Sequence, residues 1–337
     1  MNPFAYQRAS TPQDAVHAAT ASAKFLAGGT NLIDLMKDNV ERPNTLVDIN
    51  HLALTEVTGT SAGGLMIGAL VRNADLAGHP LVLAQYPMLS LALLSGASPQ
   101  LRNRATTGGN LMQRTRCPYF MDEAFTACNK RSPGSGCGAR EGYNRMHAIL
   151  GQTDDGPHSA HTCIAVNPSD MNVALAALGA TVHIQGQKGK RTLPVREFHR
   201  LPGRTPQSDT NLAPGELITA VELPQSRFAR NFTYLKIRDR QSYAFALVSV
   251  AAGLEVNNGN IVSAALALGG IAHKPWHSPE AERVLIHEPA TAQSYRKAAD
   301  LALANAKGYE HNAFKIELAK QAIVRALTQA AQGQPLS

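Results

Sequence analysis

The chain is poor in cysteine, and its cysteines are concentrated in one segment. Among 337 residues the only thiols are Cys117, Cys128, Cys137 and Cys163. A chain of this length with 44% hydrophobic residues can bury a core without cross-links, whereas disulfide staples mainly serve chains too short to do so. We therefore expect these thiols to have a chemical role rather than to form disulfide cross-links.

Signals for export and membrane insertion are also missing. The first residues, MNPFAYQRASTPQDAVHAAT, have no cationic start followed by an apolar run, so we expect no signal peptide in this chain. No uninterrupted apolar run reaches membrane-spanning length. We therefore expect a protein that is made in the cytosol, where thiols stay reduced, and that does not insert into a membrane.

Several well-known catalytic and binding motifs are absent. The chain has no G-x-G-x-x-G fingerprint, no G-x-S-x-G elbow, no H-E-x-x-H motif and no Walker A lysine. A Rossmann NAD site is therefore not supported. Aromatic residues are only 5% of the chain, and no RNA- or DNA-binding motif accompanies its basic charge, so we expect no nucleic acid partner.

The positive charge lies mostly near the cysteines. The formal net charge is +7, and residues 101–150 contribute +5 of it from eight basic and three acidic residues. A charge run is usually a solvated surface, but bound anionic groups would also explain it. The basic residues are Arg102, Arg104, Arg114, Arg116, Lys130, Arg131, Arg140 and Arg145.

Hydrophobic periodicity and turn residues divide the chain into two parts. In the first part the pattern predicts helices at 11–20, 32–40, 82–98, 110–115 and 171–179, strands at 24–27, 45–49, 64–70 and 217–224, and a hairpin at 181–195. In the second part it predicts strands at 231–239, 243–256 and 261–270 and helices at 294–306 and 312–331. Strands followed by helices indicate an α+β C-terminal domain.

Two glycine motifs, AGGTN (27–31) and TTGGNL (106–111), are each expected to link a strand to a helix. Paired glycines let a ligand approach the backbone, and N–H groups beside a helix N-terminus bind anions. The side chains of Thr30, Asn31, Thr106 and Asn110 add donors. One such loop is usually an ordinary turn, whereas two in one domain favour a diphosphate that is held from both sides.

The cysteine spacings, C-x10-C, C-x8-C and C-x25-C, leave alternatives open. Structural zinc sites usually contain short C-x2-C pairs, and none is present. The common ferredoxin runs are also absent. On spacing alone an iron–sulfur cluster, a zinc site and free or oxidised thiols all remain.

Several stretches together resemble the FAD-binding medium subunit of the xanthine oxidase family of molybdenum hydroxylases: KFLAGGTNL, QLRNRATTGGNL, NPSDMNVALAALGA, GELITAVELP, YLKIRDRQSYAFALVSVAA and ALGGIAHKPW. The segment RCPYF…CNKRSPGSGC…CIAVNPSD resembles the insert of FAD subunits of bacterial aldehyde oxidoreductases of the periplasmic type, which holds a [4Fe–4S] cluster. A similar insert occurs in 4-hydroxybenzoyl-CoA reductase.

The resemblance implies an α+β fold with a two-part FAD-binding domain of the vanillyl-alcohol oxidase (PCMH) type over residues 1–225. The insert would occupy about 115–165, and a C-terminal domain of the CO dehydrogenase flavoprotein type, a three-stranded sheet with helices, would occupy 229–332. It also implies cluster ligands at Cys117, Cys128, Cys137 and Cys163. The FAD-binding positions would be Lys24, Phe25, Leu26, Ala27, Gly28, Gly29, Thr30, Asn31, Leu32, Thr106, Thr107, Gly108, Gly109, Asn110, Asp170, Ile218 and Lys236.

The function that this resemblance implies is electron transfer in an oxidoreductase complex. A large subunit with the molybdenum cofactor would oxidise an aldehyde, and a small [2Fe–2S] subunit would pass the electrons to FAD on this chain, in a heterotrimer. No residue of this chain would act on the aldehyde. The alternatives are a 4-hydroxybenzoyl-CoA reductase-like complex and a non-redox assembly subunit that binds zinc. A signal on a partner would export the complex to the periplasm, and the cytoplasm is the alternative location.

Overall fold

The computed structural model describes residues 1–333. The chain begins with a small sheet of three parallel strands, in which the third strand of the chain lies between the first two. Two helices connect these strands. Thr11 caps the first helix by accepting from the Asp14 N–H, and the Asp14 carboxylate accepts from the Thr11 N–H in return. The elements are β1 (Ala5–Arg8), α1 (Pro12–Ala18), β2 (Ala23–Leu26), α2 (Leu32–Lys37) and β3 (Thr45–Asp48).

A second sheet of five antiparallel strands has the order β4-β5-β8-β6-β7. The predicted hairpin is confirmed, since β6 pairs with β7. The strands are β4 (Val57–Gly59), β5 (Leu65–Gly68), β6 (Thr181–Gly186), β7 (Gly189–Pro194) and β8 (Leu217–Leu223). The helices around it are α3 (Asn73–Ala77), α4 (Pro80–Gln85), α5 (Pro87–Ser95), α6 (Pro99–Arg102), α7 (Thr107–Leu111), α8 (Pro118–Met121), α9 (Asp170–Ala177) and α10 (Val195–Phe198).

The predicted helix at 82–98 is two helices, because Pro87 cannot donate to the preceding turn and starts α5 as a new helix. Helix α5 ends at Ser95, with Gly96 as its C-cap, inside the predicted range. Helix α9 also begins as predicted, with the Ser169 side chain accepting from the Asn172 N–H.

The C-terminal part is an antiparallel sheet backed by three helices, in the order β12-β11-β10-β9. The Asn258-Gly259 turn joins β10 and β11, with positive φ at both residues. The elements are β9 (Phe232–Ile237), β10 (Val248–Asn257), β11 (Asn260–Gly269), β12 (Trp276–His277), α11 (Pro279–Leu285), α12 (Ala292–Ala302) and α13 (Phe314–Gln332).

Three details of the predicted C-terminal part are wrong. The sheet has four strands rather than three, because a two-residue strand, β12, adds to its edge. Helix α11 was not predicted. Strand β10 begins at Val248 rather than at 243, because Tyr243 has a φ of +50°, which an extended strand does not allow.

The C-terminal sheet is buried on both faces. In β10, Ala251 packs into the large core that also contains the five-stranded sheet and helices α5 and α9. Its neighbours Val250 and Ala252 face the second core, which α12 and α13 complete. The alternation of side chains along a strand thus joins the two parts of the chain, and it places α9 against the sheet.

The cysteine segment lies between α7 and α9. Across residues 112–169 the only regular element is the four-residue helix α8, and turns and isolated bridges shape the rest. One bridge places Cys128 opposite Cys137, and another places Thr153 opposite Cys163.

Candidate functional site: two glycine loops and a four-cysteine segment

The first glycine loop runs from the end of β2 to the start of α2, as predicted. Gly29 has a φ of +76°. At Gly28 an added Cβ would lie 2.2 Å from the Arg104 carbonyl oxygen. Both positions therefore require glycine. Among the described hydrogen bonds, none has the backbone N–H of Gly28, Gly29 or Thr30 as its donor, so these groups are available to an anion.

The second glycine loop differs from the prediction. The helix covers the glycines themselves, as α7 (Thr107–Leu111), and ends before residue 112 rather than spanning 110–115. No strand precedes it, since α6 and a turn do. The reason is close packing: the Gly108 N–H donates to the Ala69 carbonyl at 2.8 Å, and an added Cβ would meet Ala69 at 3.2 Å.

The N–H groups of the second loop serve the fold. The Thr107 N–H donates to the Val71 carbonyl at 2.9 Å, and the Gly109 N–H donates to the Thr106 hydroxyl at 3.2 Å. We expected both loops to offer backbone N–H groups to a diphosphate, and this holds for the first loop only. The second loop offers a close approach and the Asn110 side chain, whose carbonyl oxygen accepts from the Ser169 hydroxyl at 2.7 Å.

Asn31 and Arg104 bring the two loops together. The Arg104 Nε donates to the Gly28 carbonyl at 3.2 Å. The side-chain oxygen Oδ1 of Asn31 accepts from the backbone N–H of Arg114 at 2.8 Å. The Nδ2 of the same side chain is buried without a hydrogen-bond partner in the described chain. A buried donor without an acceptor is costly, and a bound phosphate group would satisfy it. Free donors and closely packed glycines fit the diphosphate of FAD.

Asp170 is the centre of a buried polar cluster at the start of α9. Its carboxylate accepts from the Tyr234 hydroxyl at 2.7 Å and from the Lys236 ammonium at 2.8 Å. The ammonium also donates to the Ser95 carbonyl at 3.0 Å. Burial raises the pKa of Tyr234, and the Asp170 charge adds to the effect, so the phenol stays a donor. The predicted residues Asp170 and Lys236 are thus in contact.

The other predicted positions flank these loops. Lys24 is half exposed and forms an ion pair with Glu41 at 3.4 Å. Phe25 packs against the core of the first sheet, and Leu32 begins α2. Ile218 is buried in β8, which contacts α7.

The four thiols are free and lie within electrostatic reach of one another. Burial raises the pKa of Cys117, and Cys163, Cys128 and Cys137 each raise it further. Burial likewise raises the pKa of Cys137 to about 12, with a contribution from Cys163. Because burial raises the pKa of Cys117 and Cys137, a positively charged partner is needed for these thiols to become thiolates.

The arrangement is not that of a single-ion site. Among residues 1–333 no group of three or more His, Cys, Asp and Glu side chains is placed to hold one metal ion. A tetrahedral zinc site would bring the sulfur atoms to about 3.8 Å from each other, from a Zn–S distance of about 2.3 Å. In a cubane each thiolate binds its own iron atom, so the sulfurs stand further apart. Four thiols are a donor set that both zinc and an iron–sulfur cluster accept.

A buried ion-pair network ties the cysteine segment to the first glycine loop. The Lys130 ammonium contacts the Asp209 carboxylate at 2.5 Å, and the Arg114 Nε contacts it at 2.8 Å. Arg114 also pairs with Glu41 at 2.7 Å. Burial would raise the pKa of Asp209, but the charges of Lys130 and Arg114 hold it well below its usual range.

The turn before α13 holds the other side of the cysteine segment. The Asn312 amide donates to the His147 and Ala148 carbonyls at 3.2 and 3.3 Å, and the Lys315 ammonium donates to the His147 carbonyl at 2.8 Å. The His147 Nε2 lies 3.1 Å from the Cys117 Sγ. Burial lowers the pKa of His147 to about 4, and Lys315 adds to the effect, so the ring is neutral at pH 7.

Sequence reasoning missed the residues that support this site. Tyr234 could have been found, because it lies two residues before Lys236 on the same face of a strand. Asp209, Asn312 and Lys315 come from a loop and a distant turn, and nothing in the single sequence connects them with the cysteines.

Within residues 1–333 no helix combines the length and apolarity needed to cross a membrane.

Residues 2–226 match the family described as "FAD binding domain in molybdopterin dehydrogenase". Residues 233–330 match the family described as "CO dehydrogenase flavoprotein C-terminal domain".

Two relatives illustrate the similarity over the whole chain. The aldehyde oxidoreductase FAD-binding subunit PaoB of Escherichia coli K12 is 48% identical over 333 residues, which are 98% of this chain and 99% of that protein. The glyceraldehyde dehydrogenase medium chain of Sulfolobus acidocaldarius is 28% identical over 285 residues, 84% of this chain and 81% of that protein.

Solved structures show the same fold. A chain of quinoline 2-oxidoreductase from Pseudomonas putida 86 superposes with a TM-score of 0.73 at 25% identity, covering 98% of both chains. A chain of reconstituted CO dehydrogenase from Oligotropha carboxidovorans superposes with a TM-score of 0.76 at 24% identity, covering 99% of this chain and 100% of that one. The expected combination of an FAD-binding domain with a CO dehydrogenase flavoprotein C-terminal domain is confirmed.

Proposed function

Because this chain belongs to the family of FAD-binding subunits of molybdenum hydroxylases, we propose that it is the FAD subunit of an aldehyde oxidoreductase complex. The observation that carries the proposal is the 48% identity to an aldehyde oxidoreductase FAD-binding subunit over nearly the full length of both chains. The more distant similarity to a glyceraldehyde dehydrogenase medium chain also favours an aldehyde substrate for the complex.

We assign the two ends of FAD to separate groups of residues. The first glycine loop supplies N–H donors for the diphosphate, with Lys24 to Leu32 as its wall, and Thr106 to Asn110 close the other side. Asp170, Lys236 and Ile218 belong to the flavin end. Bound FAD supplies the chemistry, because it accepts two electrons and can release them singly or in pairs. The chain's own residues bind and orient it and set its electrostatic surroundings.

For the cysteine segment we propose a [4Fe–4S] cluster with Cys117, Cys128, Cys137 and Cys163 as ligands. Four free thiols, two of them buried and two partly buried, support a cofactor that needs four thiolates, and Cys117 lies within electrostatic reach of the other three. The zinc-binding alternative predicts a single ion held by the same thiols, and metal analysis distinguishes it from the cluster.

The proposed partners are a large subunit with the molybdenum cofactor and a small [2Fe–2S] subunit, in a heterotrimer. Electrons from the aldehyde would reach FAD through these partners and leave to an external acceptor. In a 4-hydroxybenzoyl-CoA reductase-like complex they would run towards the molybdenum instead. We propose export to the periplasm with a signal-bearing partner, and subcellular fractionation tests this against a cytoplasmic location.

The cofactor proposal is tested by metal and flavin analysis of the purified complex. This chain should contribute about four iron atoms to the total, the number in a cubane. Zinc in place of iron would support the assembly-subunit alternative. Acid precipitation should release FAD, and recovery of FMN would contradict the diphosphate site.

The ligand assignment is tested by Cys128→Ser, because a complete set of thiolates holds a cubane. We expect loss of the cluster absorbance and of its iron, while FAD remains bound. Thr126→Ser, a conservative change in the same segment, should keep both. Full iron content in the Cys128 variant would show that this thiol is not a ligand.

A further inference from the structure

Most of the basic residues around the cysteines are satisfied within the chain. Ion pairs join Arg114 and Lys130 to Asp209, Arg140 to Asp154, and Arg145 to Asp239. Arg131 donates to four backbone carbonyls, and Arg102 to two. These contacts account for much of the positive charge that the sequence concentrates in this segment.

Among the described residues Arg104 and Arg116 form no ion pair, and of these two only Arg116 is partly buried. Within residues 1–333 the single hydrogen bond of the Arg116 guanidinium is to the Arg114 carbonyl. The ring of Phe245 lies 5.4 Å from the guanidinium carbon and orients it. The side chain is only partly exposed. The unused donors of this partly buried cation are therefore available to an acceptor on a ligand.

Arg116 lines a cavity between the cysteine segment and the Asp170 cluster. Its lining includes Arg116 and Cys117 from the cysteine segment and Ser169 and Asp170 at the start of α9. Gly269 and Gly270, at the end of β11, also line it. Asp170 of the proposed flavin end and Cys117, a proposed cluster ligand, therefore border the same space.

The chemistry of the cavity matches a flat ring with one polar edge. A guanidinium offers planar donors that pair with an edge rich in oxygen and nitrogen, and the pyrimidine edge of a flavin is such an edge. On reduction, electron density increases at this edge, so a fixed positive charge stabilises the reduced form.

We propose that Arg116 binds the pyrimidine edge of the flavin and raises its reduction potential. The inference rests on the proposed function, and it gives the cysteine segment a role in the FAD site beyond its thiols. Because the hydrogen bond from Arg116 is stronger to the reduced than to the oxidised flavin, we expect its loss to weaken the preference for reduced flavin by about tenfold. For a two-electron couple tenfold corresponds to about 30 mV.

The test compares the complex with Arg116→Gln and Arg116→Lys variants by dye-equilibrated redox titration of the flavin absorbance. The glutamine variant should lower the flavin midpoint potential by about 30 mV, from the tenfold loss above. The lysine variant, which keeps the charge but not the planar donors, should show a smaller decrease. Arg140→Gln removes a cation of the same segment that is paired with Asp154, and it should leave the potential unchanged.

The outcomes separate this inference from the proposed function. A wild-type complex without FAD would contradict the proposed function itself. A wild-type complex with FAD whose flavin potential is unaffected by Arg116→Gln would overturn the inference alone. If the glutamine variant loses FAD and the lysine variant keeps it, charge at this position is needed and the inference is supported. If both variants lose FAD together with iron, Arg116 serves the fold and the inference is wrong.

Discussion

At the scale of single residues, Gly29 connects backbone conformation to cofactor binding. Its φ of +76° is strained for any residue with a Cβ, and an added Cβ would lie 3.1 Å from the Ile33 side chain. Such strain costs about 1–3 kcal/mol, and it moves the N–H donors of the first loop. We expect Gly29→Val to reduce bound FAD to less than about a tenth, a change of about 1.4 kcal/mol, as measured by flavin release in acid.

Gly59 provides the matched control for this substitution. It lies in strand β4, where nothing is within 4 Å of an added Cβ, and its φ is not in the left-handed region. Gly59→Val should therefore retain normal FAD. Equal losses in both variants would point to general destabilisation and would remove the evidence for the first loop as the phosphate site.

Asp170 and Lys236 form a buried pair whose members depend on each other, with side chains only 8% and 5% exposed. Removing one partner of a buried pair leaves an uncompensated charge and costs about 3–5 kcal/mol. We expect Asp170→Asn to lower the free energy of unfolding by about this amount, measured by urea denaturation of the purified protein.

The double variant Asp170→Asn with Lys236→Met distinguishes a charge effect from lost packing, because it removes both charges. It should be more stable than Asp170→Asn alone, since no lone ammonium remains buried. Additive losses from the two substitutions would show that the ion pair itself has little coupling.

At the scale of elements, local sequence signals predicted those pieces whose conformation is decided locally. Thr11 with Pro12 fixed the start of α1, and Asn258-Gly259 fixed a hairpin. The prediction for the second glycine loop was wrong because glycine is a poor helix former, so the pattern placed the helix after the glycines. Tertiary contact nevertheless requires glycine in this helix, since Gly108 packs on Ala69 where a Cβ would not fit well.

The site was predictable only in part, for a related reason. Four cysteines and two glycine loops stand out in a sequence by composition. Asp209 and Asn312 are ordinary polar residues in a loop and a turn, and they matter only because folding brings them within hydrogen-bond distance of residues about 80 to 165 positions earlier in the chain. Contacts between residues so far apart in the chain cannot be read from local sequence patterns.

The turn that precedes α13 acts as a support for the cysteine segment, and Asn312 is its main contact. Its carbonyl oxygen accepts from the Tyr309 N–H at 2.7 Å, and its amide reaches the His147 and Ala148 carbonyls. Asn312→Ala would remove the partner of the Tyr309 N–H and of the Ala148 carbonyl, at a cost of about 1–3 kcal/mol, whereas the His147 carbonyl would keep Lys315. We expect faster hydrogen exchange in residues 144–150 and faster loss of iron to a chelator.

The control for the turn is Asn305→Ala, an exposed asparagine seven residues earlier. It should leave both the exchange rates and the iron retention as in the wild type. Unchanged exchange in the Asn312 variant would mean that the cysteine segment holds its own shape without the C-terminal part.

At the scale of the whole molecule, Lys315 joins α13 to the cysteine segment and to the sheet through the His147 and Gly270 carbonyls. Burial lowers its pKa to about 7, with Arg145 adding to the effect, against an ordinary value of 10.5. Between these values the unfolded chain binds one more proton than the folded chain, so the free energy of unfolding should rise with pH. The slope is about 1.4 kcal/mol per pH unit.

Lys315→Met should remove this slope, because no proton is then exchanged at the site. Urea denaturation from pH 7.5 to 9.5 measures it, with Lys320→Met as a control on the same helix, where Lys320 is partly exposed and paired with Asp300. Parallel curves for the wild type and the Lys315 variant would show that the ammonium stays protonated in the folded protein.

The last prediction concerns which subunit of the proposed complex binds FAD and which oxidises the aldehyde. The chain is an oxidoreductase subunit of the molybdenum hydroxylase family, and we propose that its role is to bind FAD and transfer electrons while a partner subunit oxidises the aldehyde. The purified subunit alone should therefore bind FAD and fail to reduce a dye with any aldehyde. Co-expression with the large and small subunits should restore aldehyde-dependent dye reduction, and the Gly29→Val complex should lack it. Turnover by the lone subunit at the rate of the complex would require a substrate site within these residues and would overturn the electron-transfer role.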